Sequence, residues 1–132
     1  MTRQPLELET SKKRSALRQI EATIKHFHDG ELDSAITLAA AGEGQIPEST
    51  KGYLFRFLKR LAPTDDFNLV VNWLKHPGGP ENATIPEFEA VLVISRAIHK
   101  FVAAYEATTQ AFIDFEKWAV ENGHMPRFLK QK

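Results

Sequence analysis

Apolar residues recur at steps of three and four along most of this chain, a spacing that is typical of amphipathic helices. The first such segment lies between Ser11 and Gly30, where Lys, Arg, Gln and Glu fill most of the remaining positions. Ser11 can cap the N-terminus of a helix, and Gly30 can take the left-handed conformation that often ends one. The pattern therefore predicts a first helix whose inner face consists of Leu17, Ile20, Ile24 and Phe27.

A second helix is predicted from Glu31 to about Ala41, with Gly42 and Gly44 as its terminators. The link between the two helices is very short, and such a link requires neighbouring helices to run antiparallel. The second helix is rich in alanine, which allows its partner to approach closely. We therefore expect the chain to open with an antiparallel αα-hairpin.

Later segments repeat the helical pattern between proline, glycine and capping residues. Thr84 can cap a long helix that carries a proline and an acid in its first turn, and Thr109 can cap the last helix. The inner face of the long helix is predicted to include Phe88. These later helices are predicted over residues 50–61, 67–76, 84–105 and 109–122.

No segment alternates apolar and polar residues with a period of two for long enough to form a strand. The predicted fold class is therefore all-α, a helical bundle of five to six helices. Residues 11–123 are expected to form a single domain because no linker divides them. Residues 1–10 are expected to be disordered or loosely ordered, and residues 124–132 are expected to form a C-terminal tail.

Composition narrows the classes of function. The chain has 132 residues and no cysteine, which excludes a disulfide framework, a thiolate zinc site and a cysteine nucleophile. Basic and acidic residues balance at 17 each, so net charge gives no support for nucleic-acid binding. No signal peptide or bilayer-length apolar run is visible. We expect a cytoplasmic protein that needs no cofactor or metal and does not contact a membrane.

The strongest candidate for chemistry lies at the end of the helix over residues 67–76. Asn72 and His76 are four residues apart and share a helix face, and Lys75 adds a positive charge beside them. His76 could act as a general base on a ribose hydroxyl while Lys75 contacts a phosphate. In the alternative interpretation, Asn72 and His76 cap the helix and brace the glycine-rich loop at residues 77–80.

A second pair of candidates lies on the long helix. Arg96 and His99 are three residues apart and can face the same way, so both are candidate ligand-binding residues. The alternative is a solvated pair or a structurally hydrogen-bonded one. His26 and His28 point to different faces of the first helix, so they cannot jointly hold a metal ion there.

Three stretches resemble proteins of the HEPN family, and in particular a small uncharacterised bacterial group with HEPN-like bundles. The hairpin ALRQIEATIKHFHDGELDSAITLAAAGEG is similar to the family's first two helices, and RAIHKFVAAYEATTQAFIDFEKW is similar to its last ones. VNWLKHPGGPEN resembles the family motif, an Arg followed by a polar residue, three variable positions and a His. The likeness spans roughly residues 16–118.

The resemblance implies a helical bundle that forms a homodimer and, where the motif is intact, a metal-independent ribonuclease of toxin–antitoxin or defence systems. Asn72 matches the polar position and His76 matches the histidine, whereas Val71 stands at the arginine position. Valine can neither bind phosphate nor stabilise an oxyanion. Arg96 is a candidate substitute from a neighbouring helix.

Three hypotheses about function follow. The first is a non-catalytic binding or regulatory module that acts as a homodimer. The second is a weak or divergent ribonuclease that uses His76 and Asn72 with a cation from elsewhere. The third is a nucleotide-binding protein that uses the loop at residues 77–82. RNA, a nucleotide or a protein is the expected partner.

Overall fold

A computed structural model describes residues 2–48 and 64–124, with side chains over 2–48 and 69–124. The described residues are helical with irregular connections and contain no strand, which confirms the all-α class. The helix predicted over residues 50–61 and nearly all of the predicted C-terminal tail lie outside these residues. The helices are α1 (Lys12–His28), α2 (Leu32–Gly44), α3 (Thr64–Lys75), α4 (Glu87–Tyr105) and α5 (Gln110–Glu121).

The first two helices form the predicted hairpin. The Ser11 hydroxyl accepts a hydrogen bond from the Arg14 N–H at 3.1 Å and caps α1. Gly30 has a φ of +83°, which a residue with a side chain rarely adopts, and it turns the chain into α2. The buried Thr23 hydroxyl donates to the Ala35 carbonyl and ties the two helices together.

The second helix differs from its prediction at its C-terminal end. It continues through Gly42 to Gly44, so Gly42 does not terminate it. A Cβ at Gly42 would lie 3.1 Å from the Cγ1 of Ile20 and 3.4 Å from the Ala16 carbonyl oxygen. Gly42 therefore allows α1 and α2 to approach closely, and the helix ends only beyond this contact.

The long helix α4 lies at the centre of the bundle and contacts each of the other four described helices. It buries ten residues on several sides, as expected for a helix that is packed all round. Its N-cap is Pro86, with no side-chain capping bond, so the predicted cap at Thr84 is wrong. Phe88 is 39% exposed and does not belong to the inner face predicted for it.

Aromatic rings join α5 to the core. The Thr109 hydroxyl caps α5, as predicted, by accepting from the Phe112 N–H at 3.2 Å. Phe101 of α4 packs edge-on against Phe112, with 5.6 Å between ring centroids. His124 follows α5, and its Nε2 lies 2.6 Å from Glu87 Oε2, which connects the end of α5 to the start of α4. Among the described helices, none is long and apolar enough to cross a membrane.

Candidate functional site

A small cleft lies where α2, α3 and α4 meet. Its volume is about 220 Å³, and it is more enclosed than the other depression described below. Three of the residues selected from the sequence, Asn72, Lys75 and Arg96, line it together. We call this feature the α2–α3–α4 cleft. Its described lining consists of Ala40, Glu43, Gly44, Val71, Asn72, Lys75, Val93 and Arg96.

Arg96 enters the cleft in a fixed orientation because Glu43 holds its guanidinium group. Arg96 Nε donates to Glu43 Oε1 at 2.6 Å, and Arg96 Nη2 donates to Glu43 Oε2 at 3.0 Å. The two side chains are only 16% and 11% exposed, so little water screens the pair. The carboxylate offsets the charge of the guanidinium group within the cleft itself.

Lys100, one turn after Arg96, extends this network along α4. Its Nζ donates to the Glu43 carbonyl oxygen at 3.2 Å and lies 3.6 Å from Glu48 Oε1. A cation at the last carbonyl groups of a helix is favoured by both hydrogen bonding and the helix dipole. Arg96 and Lys100 thus attach the C-terminal end of α2 to the middle of α4.

The third wall comes from the C-terminal half of α3. Val71 is half-buried and packs against the core, whereas Asn72 and Lys75 are exposed. Asn72 and Lys75 are three residues apart and are therefore neighbours on the helix surface. This spacing places an amide and a positive charge at the rim of the cleft above an apolar wall.

His76 directly follows α3 and is exposed, but it is not among the described residues that line the cleft. Its backbone N–H donates to the Asn72 carbonyl at 3.1 Å, in the last turn of the helix. The following loop is braced by Trp73, whose indole N–H donates to the Pro80 carbonyl at 2.7 Å. A Cβ at Gly79 would lie 3.1 Å from the Trp73 ring, so glycine there allows the ring to pack against the loop.

His99 lies elsewhere, between α4 and α5. It is 7% exposed, and its Nε2 is 3.3 Å from Glu116 Oε2 without the alignment of a hydrogen bond. Arg96 and His99 are close in sequence but contact α2 and α5 respectively. The structure therefore does not bring them into one site.

A second, more open depression lies beside the hairpin turn, with a volume of about 330 Å³. His26 lines it, and His26 Nδ1 lies 2.6 Å from Glu31 Oε1, a contact that joins the end of α1 to the start of α2. No group of three or more potential ligands in the described part of the chain could hold a metal ion.

Glu43 and Lys100 are not among the sequence-predicted site residues, yet Glu43 lines the cleft and Lys100 donates to the Glu43 carbonyl oxygen. Glu43 is the only charged residue between Ser34 and Gly44, a stretch that is otherwise apolar or small. An isolated acid in such a stretch indicates a buried partner of opposite charge. Lys100 lies four residues after Arg96, and this spacing places both cations on one side of α4.

The size and charge of the cleft limit what it can bind. Sites for drug-sized ligands usually measure about 300 to 1,000 Å³, and this cleft is smaller. Lys75 and Arg96 contribute two positive charges and Glu43 one negative charge, so the described lining carries a net charge of +1. Ala40, Val71 and Val93 supply apolar surface. The arrangement suits an apolar group of side-chain size that is followed by a single negative charge.

Comparison with protein-family models, with curated proteins and with solved structures finds no match for this chain. Its function is therefore inferred from the residues that form the α2–α3–α4 cleft.

Proposed function

We propose that this protein is a non-catalytic binding or regulatory module that acts as a homodimer, and that the α2–α3–α4 cleft binds a short segment of a protein partner. The observation that carries the proposal is the bidentate contact between Arg96 and Glu43. A catalytic arginine stabilises negative charge that develops in the transition state. Here the guanidinium group already faces a carboxylate.

The charge of the cleft also favours a peptide over a nucleic acid. Nucleic-acid binding depends on several cations that each neutralise a phosphate. The Glu43 carboxylate would repel a phosphate that approached Arg96, and Lys75 supplies one exposed cation. A single carboxylate beside an apolar side chain needs only one such cation.

The homodimer is supported by large apolar side chains on the outside of the helices. Leu69 on α3 and Ile113 on α5 are both more than one-third exposed. Apolar side chains of this size at the surface are common at interfaces when they occur together with polar groups. The family resemblance supports the same oligomeric state.

A minimal probe for the cleft is N-acetyl-leucine, which combines an isobutyl group with one carboxylate. We expect a titration followed by amide NMR to shift the signals of Gly44, Val71 and Lys75. Lys75→Glu should weaken binding at least tenfold because it replaces attraction by repulsion. Lys117→Glu is the matched control, since Lys117 is also exposed on a helix but does not line the cleft. Equal loss in both variants, or shifts outside the cleft, would contradict the proposal.

A divergent ribonuclease remains the second candidate because Asn72, Lys75 and Arg96 share one cleft. In this mechanism His76 would remove the proton from a ribose hydroxyl. Cleavage of RNA by the wild-type protein that is lost in a folded His76→Ala variant would favour this candidate. RNA that stays full-length at high protein concentration would exclude it.

A nucleotide-binding function would use the exposed loop at residues 77–82. The bond between Trp73 and the Pro80 carbonyl gives this loop a defined shape. A nucleotide that bound there would raise the melting temperature by mass action. An unchanged melting temperature with saturating AMP and ATP would argue against this function.

A further inference from the structure

The N-terminal arm, residues 2–10, precedes α1 without regular secondary structure and is exposed throughout. Leu6 and Leu8 are 85% and 70% exposed, and they alternate with Glu7 and Glu9. Each leucine therefore has a glutamate as its direct neighbour, and residues 2–10 have no regular secondary structure that would fix the two side chains on opposite sides.

We propose that the α2–α3–α4 cleft binds the N-terminal arm of a second copy of this chain. This inference rests on the proposed function of the cleft and names its partner. One leucine of the arm packs against Val71 and Val93, and the adjacent glutamate pairs with Lys75. The cleft and the arm match in three respects: an apolar wall for an isobutyl group, a cation for a carboxylate, and a volume of about 220 Å³ that is large enough for one leucine side chain.

The charge pattern supports the arm as the occupant. The cleft carries a net charge of +1, and the part of the arm over residues 6–9 carries two negative charges. Complementary charges direct the approach of partners and select the correct register. The arm also lies outside the helical bundle, so it can bind a neighbouring molecule without unfolding its own domain.

A second copy is favoured over the same chain because the arm does not fill the cleft of its own molecule. Among the described residues, Leu6 and Leu8 are 85% and 70% exposed, and no residue of the arm lines the cleft. If two molecules exchange arms reciprocally, both clefts are filled and the assembly closes with two-fold symmetry. The second contact then forms within an already associated pair, which strengthens two individually weak contacts.

Two charge-reversed variants test the exchange. The arm variant carries Glu7→Lys and Glu9→Lys, and the cleft variant carries Lys75→Glu. In each variant alone, the arm and the cleft repel each other, so we expect the dimer dissociation constant to rise about tenfold. In an equimolar mixture every arm meets a cleft of opposite charge, and dimerisation should return. Sedimentation equilibrium of the full chain at low salt, about 50 mM, measures this because surface charges are weakly screened there.

A second arm variant, Leu6→Ser with Leu8→Ser, keeps the test independent of charge pairing. Both leucines are exposed, so the variant should fold normally and show the helical circular dichroism of the wild type. We expect it to be a monomer at concentrations where the wild type is a dimer. A wild-type monomer, or a dimer that the arm variants do not weaken, would overturn the proposal.

The remaining outcomes separate this inference from the proposed function. Dimerisation could return in a single chain that carries all three charge reversals but not in the mixture of the arm and cleft variants. This result would show that the arm binds the cleft of its own chain, and it would overturn exchange. If N-acetyl-leucine still binds the cleft but the arm variants associate normally, the proposed function survives and the arm is the wrong partner. If N-acetyl-leucine and the arm both fail to bind, both proposals are wrong.

Discussion

Glu43→Gln is expected to destabilise the bundle strongly, because it removes the carboxylate that accepts two hydrogen bonds from the Arg96 guanidinium group. Glutamine keeps the shape of the side chain, but it places an NH₂ group opposite one guanidinium N–H and removes the charge. Breaking a buried ion pair by removing one partner typically costs about 3 to 5 kcal/mol. Since both side chains retain slight exposure, 11% and 16%, we expect the lower end, about 3 kcal/mol.

The expected loss of unfolding free energy corresponds to a lower melting temperature. The unfolding entropy of globular proteins is about 2.1 cal/mol/K per residue near 60 °C, which gives about 0.28 kcal/mol/K for this chain of 132 residues. A loss of about 3 kcal/mol then lowers the melting temperature by about 11 °C. Thermal and urea unfolding followed by circular dichroism at 222 nm would measure both quantities.

Two further variants separate the ion pair from other causes. Replacing Glu43 and Arg96 together by methionine removes both charges and should bring stability back to within about 1 kcal/mol of the wild type. Glu21→Gln, on the exposed surface of α1, is the matched control and should change stability by less than about 0.5 kcal/mol. If Glu43→Gln is no more destabilising than Glu21→Gln, the pair does not hold α2 against α4 and this reasoning fails.

Other predictions concern packing. Gly42→Ala should be less stable than Gly44→Ala by about 1 to 2 kcal/mol. The new methyl group at position 42 would lie 3.1 Å from the buried Ile20, whereas nothing lies within 4 Å of a methyl group at position 44. Equal urea midpoints for the two variants would contradict this prediction. Phe112→Ala should lower the free energy of unfolding by about 3 to 5 kcal/mol because it leaves a cavity in the core. The neighbouring substitution Ile113→Ala should lower it by less than about 1 kcal/mol, since Ile113 is 49% exposed. Similar losses from the two variants would show that α5 does not pack through Phe112.

Local signals in the sequence predicted much of the hairpin and the last helix. Ser11, Gly30 and Thr109 have the roles expected of them, because caps and left-handed turns depend on a few neighbouring residues. The prediction of Gly42 as a terminator is wrong because a glycine that ends a helix and one that allows a neighbouring helix to approach look alike in sequence. Which role applies depends on Ile20, a residue of the other helix.

The cleft could be predicted only in part. The spacing of Asn72 and Lys75 places them side by side on any helix, so sequence alone indicates their proximity. The position of Arg96 beside them depends on how α3 and α4 pack, and its pairing with Glu43 joins residues 53 positions apart. His99 shows the same limit, because its i+3 spacing from Arg96 does not reveal that the two residues contact different helices.

The proposed role of the cleft is tested most directly by a crystal structure of the full chain grown with N-acetyl-leucine. We expect an isobutyl group against Val71 and Val93, from the ligand or from Leu6 or Leu8 of a second copy. We also expect a carboxylate within hydrogen-bonding distance of Lys75 Nζ, while the bonds from Arg96 to Glu43 stay intact. A cleft that holds neither group, with His76 turned into it beside Lys75, would contradict the account and favour the ribonuclease.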